Sequence, residues 1–550
     1  MSLRSELVPP IPEETVRVAE AVFPKGNIYM RMRDELGTFY QDEQFVSLFS
    51  LRGQPAESPW RLALICVMQF VENLSDRQAA EAVRARIDWK YALSLELTDA
   101  GFDYSVLSEF RARLLKGGME KELLDTMLRA FEAHSLLKQR NQQRTDSSHV
   151  VAAIRALNRL ESVGETLRAA LNSLAAAAPQ WLQRIAHPDW FDRYGRRIEE
   201  YRLPKGKVAR QELAETIGAD GMQVLNAVYS EDSPAWLREI PAVETLRRSW
   251  VYQYYVREGQ VCLREAKDLP PASLRFDSPY DPEARYGTKR DIHWIGYKVH
   301  LTETCDEDAP HVITHVETTI APQSDVGMTT PIHEALADKN LLPREHLVDG
   351  GYVDAEALVS SQRDYQVNLV GPAKPDIHWQ AHQEEAYSID RFEIDWQARM
   401  VTCPQGQTTK YWKPTKDAYG NDVICIRFSR PGCQRCKSRA LCTRSEKESR
   451  SLTLRPQAQH QALQETRQRQ ETLEWTKHYH KRAGIEGTLS QGMRGFGLRK
   501  ARYLGLAKTH LQQILTATAI NLVRVDAWLI GTPLAKTRAS PLKALHPSVI

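Results

Sequence analysis

The sequence predicts a multidomain α/β chain, and three observations carry that reading. Apolar residues recur with helical spacing in the N-terminal quarter, switch to a period of two beyond about residue 285, and return to helical spacing after residue 457. A β-prone, cysteine-bearing stretch, residues 381–457, stands apart from both patterns. The chain has 550 residues, 42% hydrophobic and 26% charged, so it can build more than one core, and that length corresponds to roughly three to five domains or subdomains.

Residues 1–138 read as helices. Trp60–Val71 opens after Ser58-Pro59, a cap followed by proline in the first turn. Ser75 is placed to cap Asp76–Ile87, where Ala79, Ala80, Val83 and Ile87 share a face. Ser105 is placed to cap a third helix with Leu107, Phe110 and Leu114 inward, Arg111 and Arg113 on other faces, and Gly117-Gly118 at its end. Short helices with exposed arginines suit DNA binding of the helix-turn-helix kind, and equally an ordinary packing domain.

Residues 139–380 begin with a β-prone run, RTDSSHVVA, that carries Asp146. A helical insertion follows over about 152–260, with Ile154, Leu157, Leu160, Val163, Leu167, Leu171 and Leu174 as one stripe. Beyond it Ile295, Tyr297, Val299 and Leu301 alternate as a strand with one buried face, and His311–Ile320 is its antiparallel partner. Then come a helix at Thr329–Ala337, a strand at His346–Val348 that delivers Asp349 to a Gly350-Gly351 turn, a helix at Asp354–Ser360 and a strand at Gln366–Val370. Residues 458–530 are helical, with Leu511, Ile514, Leu515, Ala519 and Leu522 as the apolar stripe, and 531–550 read as a flexible tail.

Charge and composition exclude some classes. The balance of 73 basic against 70 acidic residues gives only +3, which argues for no partner by itself. Between Lys477 and Lys508, however, Glu486 is the only acid among eight basic residues, which suits either a polyanion site or a solvated helix face. No run approaches the roughly 20 apolar residues of a membrane helix, and the first residues lack an apolar signal core. A cytoplasmic chain without membrane contact is therefore expected.

Asp146, Asp349 and Glu486 are the candidate catalytic carboxylates: two at strand-like sites, one in a helix-like segment amid basic residues. Such a cluster repels itself unless cations offset it, and carboxylate and water oxygens are the ligands magnesium prefers. Cys403, Cys433, Cys436 and Cys442 contain one CxxC pair and two further thiols, enough for a structural zinc site or else a set of reduced thiols. Cys425 lies in the alternating run VICIRF and reads as a buried strand residue. His149 reads as a packing residue, and Arg285, Tyr286 and Lys298 as residues that touch DNA or brace the site. Trp379, Trp396 and Trp412 read as core residues, with base stacking as the alternative.

The words RTDSSHV, DPEARYG, WIGYKVHL, LVDGGYVD and YHKRAGIEGTLSQG, in that order, resemble the DDE transposases of bacterial insertion sequences. SPWRLALICVMQFVENLSDRQAAEAV resembles the InsH-type N-terminal domain of the same group. The resemblance spans roughly residues 20–525. It implies an RNase H-like catalytic core over 139–380 and 458–530, interrupted by the helical and the β-rich insertions, behind an N-terminal helical DNA-binding domain. It implies Asp146, Asp349 and Glu486 as ligands of two Mg²⁺ (or Mn²⁺) ions. A related Y-x2-R-x3-E-x6-K signature maps onto Tyr479, Arg482 and Glu486; its Lys position is Met493, leaving Arg494, Arg499 or Lys500 as the further DNA contacts. The 137 residues between Asp349 and Glu486 match relatives with an insertion before the Glu helix. The partners implied are double-stranded DNA, as terminal inverted repeats and as target, and a second copy of the chain on that DNA, at the nucleoid. The rival readings are a domesticated relative that binds DNA without cutting, a zinc-stabilised DNA-binding regulator, and a metal-dependent nuclease unconnected with transposition.

Overall fold

The computed structural model describes residues 2–271, 273–289 and 291–533, so the expected tail from 534 onward lies outside the described residues. The fold is mixed α/β with several separate sheets.

The N-terminal helices form as their apolar spacing requires, with corrections at their ends. Pro59–Val71 starts with its proline in the first turn, but Ser58 makes no side-chain cap. Ser75 does cap Asp76–Ala85, exchanging hydrogen bonds with Gln78. That helix stops at Ala85, and Ile87 opens a separate helix, Ile87–Ala92. Ser105 is the first residue of Ser105–Gly117 and not its cap; the Asp103 carboxylate accepts the Ser105 N–H at 2.9 Å, and Gly118 closes the helix in the left-handed region. Arg111, expected outside, is buried, paired with Asp76 at 2.5 Å and set over the Tyr503 ring. A guanidinium is tolerated in such a place only because a carboxylate and an aromatic face meet it there.

The main sheet has six strands: β1 (Gln142–Val151), β2 (Arg285–Lys289), β3 (Ile292–Thr304), β4 (Ile313–Ile320), β5 (Glu345–Val348) and β6 (Asn368–Val370). β1 lies at the centre, antiparallel to β3 on one side and parallel to β5 on the other, and β6 follows β5 in parallel. β2 and β4 both pair with β3, over Ile292–Gly296 and Tyr297–Glu303 respectively. Helices Thr329–Asp338 and Ala355–Tyr365 cross between β4, β5 and β6, the second capped by the Asp354 side chain. β3 is buried on both faces from Tyr297 onward except at Lys298, not on one face as its alternation suggests, because helices cover the sheet on both sides.

One continuous core joins residues of the N-terminal helices, the main sheet and the last helix, Leu506–Leu529. That helix is buried nearly all round, so its polar residues find partners: the Asn521 amide accepts from the Ile313 N–H and donates to its carbonyl, at 2.6 and 2.8 Å.

Two insertions interrupt this body. The first contains Arg159–Ala177, Lys207–Val228, Pro241–Gln253 and shorter helices, closed by the hairpin Tyr254–Arg257 and Gln260–Leu263. Its first helix starts at Arg159, capped by Asn158, so Ile154 and Leu157 belong to the lead-in and not to the helical stripe. The second carries two three-stranded sheets: Glu393–Asp395, Met400–Thr402 and Thr408–Thr409; then Trp412–Lys416, Asp422–Arg427 and Ser451–Leu454. No helix among the described residues is long and apolar enough to cross a membrane.

Candidate active site

Parallel pairing brings Asp146 and Asp349 side by side. The last register pair between β1 and β5 is Thr145 with Val348, and each carboxylate is the next residue along its strand. Parallel neighbours lie about 4.8 Å apart and point to the same face. Asp146 turns one oxygen to the Ser147 N–H at 2.7 Å, and Asp349 does the same with Gly350 at 2.7 Å, where the short turn Gly350–Tyr352 begins.

Glu486 lies in the first turn of the helix Gly484–Gly495. Arg482, one turn earlier, is the link: its guanidinium donates to Asp146 at 3.1 Å and to Glu486 at 3.0 Å. Asp146 is 12% exposed at its side chain and Glu486 64%, so one carboxylate is buried in the floor and the other, held by Arg482, faces solvent. Burial raises the Asp146 pKa and neighbouring Asp349 adds to it, while Arg482 and Lys289 oppose the rise. Burial works against the Arg482 charge, yet Asp146, Tyr479 and Asp349 hold its pKa above the usual value. Tyr479 stacks on Trp475, with centroids 4.6 Å apart, and donates to the Val348 carbonyl at 3.1 Å. Burial pushes its hydroxyl up to about 12, against the nearby Arg482 charge and with Asp349, Asp146 and Glu486 adding to the rise.

A buried ionic knot fixes the helix against the sheet. Glu303 of β3, wholly buried, accepts from Arg144 of β1 at 2.7 Å, from Thr488 of the Glu486 helix at 2.5 Å and from Arg524 of the last helix at 2.7 Å. The Arg144 guanidinium also donates to the Lys481 carbonyl at 2.6 Å. It passes so close to Gly484 that a Cβ there would sit 2.0 Å from Nη1, which is why the residue before Ile485 carries no side chain. Sequence reasoning missed this knot; an isolated acid in a strand of apolar and threonine residues was its only signal.

It also missed Asp325, which lies beside the two aspartates. It accepts from Ser147 Oγ at 3.2 Å and from Lys298 Nζ at 3.0 Å, and a Cβ on Gly351 would meet it at 3.2 Å. Lys298 thus braces the site, as Arg285 braces its own loop through the Ser273 and Ala284 carbonyls. Tyr286 stacks with His293, and His149 packs against Trp294 at 5.3 Å. Arg499 ties down the end of β1, donating to Ser148 Oγ at 2.8 Å while its carbonyl accepts the Val151 N–H. Arg494 and Lys500 are exposed. Trp396 packs edge-on against Trp412, and Trp379 lies under the Arg444 guanidinium.

Among the described residues, no group of three or more His, Cys, Asp or Glu is gathered closely enough to hold a metal ion as it stands. The donor chemistry at the main site nonetheless suits a hard divalent cation: carboxylate oxygens, one of them on a side chain that faces solvent, between which Arg482 now supplies the positive charge.

Residues 402–525 match the family model described as a transposase DDE domain, and residues 17–113 match the transposase domain DUF772. The first match contains Tyr479, Arg482 and Glu486; Asp146 and Asp349 lie before it. Together the two matches support an insertion-sequence DDE transposase. No curated protein and no solved structure matches the chain.

Proposed function

We propose that the chain is a DNA transposase that cuts the ends of an insertion sequence and joins them to target DNA, with Asp146, Asp349 and Glu486 as its catalytic carboxylates. The observation that carries the reading is the Arg482 bridge, which ties a carboxylate of the sheet to the carboxylate of the late helix beside a third. Two magnesium or manganese ions bound by these carboxylates would activate the attacking water or 3′-hydroxyl and stabilise the leaving oxygen.

The chain's own groups do the remaining work. Asp146 and Asp349 form the rigid floor, and Glu486 turns in from the helix to complete the donor set. Arg482, at that rim, clamps a phosphate oxygen of the scissile strand through its free N–H groups. Tyr479 and Trp475 form a ring pair beside Asp349 on which a displaced base stacks. Arg494 and Lys500 supply exposed charge for the flanking backbone, and Arg499 keeps β1 in register. The N-terminal helices of residues 1–138 recognise the terminal inverted repeats, and two copies meet on the DNA to hold both ends. The core is of the RNase H type, composed of 139–380 and 458–530.

The test is cleavage and strand transfer on a labelled duplex carrying the element's own ends, with Mg²⁺ or Mn²⁺. Wild type should release the 3′ end and join it, and Glu486→Ala should lose at least about a thousandfold of both activities, as loss of a catalytic metal ligand does. Wild-type binding without metal-dependent cleavage would select the second reading, a DNA-binding relative that no longer cuts. Met493 at the lysine position of the signature favours that reading.

A further inference from the structure

The second insertion has a small core. The buried residues of its apolar cluster are Phe392, Val401, Ile426, Phe428, Leu452 and Leu454. A β-rich unit of this size rarely holds together on so few side chains without a staple. All five of its cysteines are free thiols.

Four of the five line one cavity of about 30 Å³ on the edge of that core: Cys403, Cys433, Cys436 and Cys442. Cys403 follows the strand Met400–Thr402, Cys433 and Cys442 lie in the short helices Arg430–Gln434 and Arg439–Cys442, and Cys436 lies between those helices. Cys403 opens a tight turn, its carbonyl accepting the Gly406 N–H at 2.8 Å, with Gly406 at φ +74°. Cys433 and Cys436 lie in successive turns, the Cys433 carbonyl accepting the Cys436 N–H at 3.3 Å. The two segments approach so closely that a Cβ on Gly432 would sit 2.2 Å from the Gln407 side chain. Cys425, opposite Lys413 in the strand Asp422–Arg427 and half-buried, does not line the cavity.

Two arginines line the same cavity, each with a buried nitrogen that lacks a hydrogen-bond partner: Nη1 of Arg439 and Nε of Arg450. Arg439 is held there by three backbone carbonyls, of Ser445, Glu446 and Glu448. Unpartnered buried N–H groups are costly and call for an acceptor. A divalent ion with four thiolates carries two negative charges in excess, and two guanidiniums balance them.

We propose that Cys403, Cys433, Cys436 and Cys442 form a tetrathiolate site for a structural zinc ion that staples this insertion, with Arg439 and Arg450 neutralising the charge of the thiolates. The thiols line the cavity without yet converging, so the 403–406 turn and the 433–442 segment close on the ion as it binds. Tetrahedral thiolate coordination with no open position makes the role structural and not catalytic. The proposal does not rest on the transposase reading, and its test uses no DNA.

The full chain, produced with zinc in the medium and purified without chelator, should hold about one zinc per chain by elemental analysis, as a closed structural site does. Replacement by Co²⁺ should give intense thiolate-to-metal absorption. Cys436→Ser should lose at least about tenfold of the bound zinc while Cys425→Ser keeps it all. Wild-type chain with less than about a tenth of an equivalent of zinc, or with iron in its place, overturns the proposal. So does Cys425→Ser losing as much zinc as Cys436→Ser. If Cys436→Ser does not fold, the wild-type metal content and Cys425→Ser decide between these outcomes.

Discussion

The two insertions meet the same demand in different ways. Each leaves the main body and returns to it, so each must supply most of its own folding energy. The helical insertion does so with apolar volume: sixteen buried residues, including Trp181, Trp190 and Trp250, pack its helices together. The cysteine-bearing insertion has six such residues, no buried tryptophan among them, and four thiols around a cavity. Long helices with apolar stripes bury area efficiently, whereas strands as short as Thr408–Thr409 and Met400–Thr402 do not. A metal cross-link is the usual substitute for a core of that size.

The comparison breaks first, and most completely, on metal removal. Stripping zinc with a mercurial and a chelator should collapse amide protection across residues 386–455 while leaving residues 159–263 protected. Hydrogen exchange read by mass spectrometry checks it, and equal loss in both insertions would mean the two are not independently stabilised.

The body between the insertions is held by a third device, buried charge. Glu303→Gln leaves Arg144 and Arg524 buried without their carboxylate, and should cost about 3–5 kcal/mol. Denaturant unfolding measures that cost, and metal-dependent cleavage should fall with it, because Thr488 loses its carboxylate acceptor and Arg144, which holds the Lys481 carbonyl, loses its counter-charge next to Glu486. An equally stable variant would reduce the knot to decoration. Trp250→Ala tests the apolar device in the helical insertion. Trp250 is 2% exposed and donates to the Gly218 carbonyl at 2.8 Å, so truncation should cost about 3–4 kcal/mol without releasing zinc.

The order of elements in the main body is legible in the sequence because strand and helix periods are local. The motifs around Asp146, Asp349 and Glu486 are legible for the same reason: short words carry them. What brings the aspartates together is not local, since it rests on the register of Thr145 with Val348 across the whole crossover. Arg111 reads as exposed because its own helix has a polar face; Asp76 and the distant Tyr503 bury it. Nothing in APQSDVG marks Asp325; it is Ser147 and Lys298, distant in sequence, that place it beside the site. The alternating run VICIRF already sets Cys425 apart from the other four cysteines, but that those four line one cavity together with Arg439 and Arg450 shows only in the fold.

The smallest expected effect concerns the ground beneath the active-site strand, where burial is again the device but the buried groups are polar. Thr145 Oγ1 meets His346 Nε2 at 2.6 Å, and His346 Nδ1 meets His333 Nε2 at 2.8 Å, while His333 Nδ1 is buried without a partner. Burial pushes the His333 pKa down to about 4 and that of His346 well below its ordinary value. A histidine depressed in the folded state binds its proton more tightly when unfolded. Its contribution is therefore complete above the ordinary value near 6.5 and is lost as pH falls from there toward about 4. Wild type should lose stability between pH 6.5 and 5, with His333 contributing up to about 1.4 kcal/mol per pH unit. In His333→Leu that part of the slope should vanish, whatever the variant's stability at pH 8, because its titrating imidazole is gone, while the part due to His346 remains. Urea unfolding at a series of pH values gives both slopes, and identical slopes would show that His333 already shares solvent protons in the folded chain.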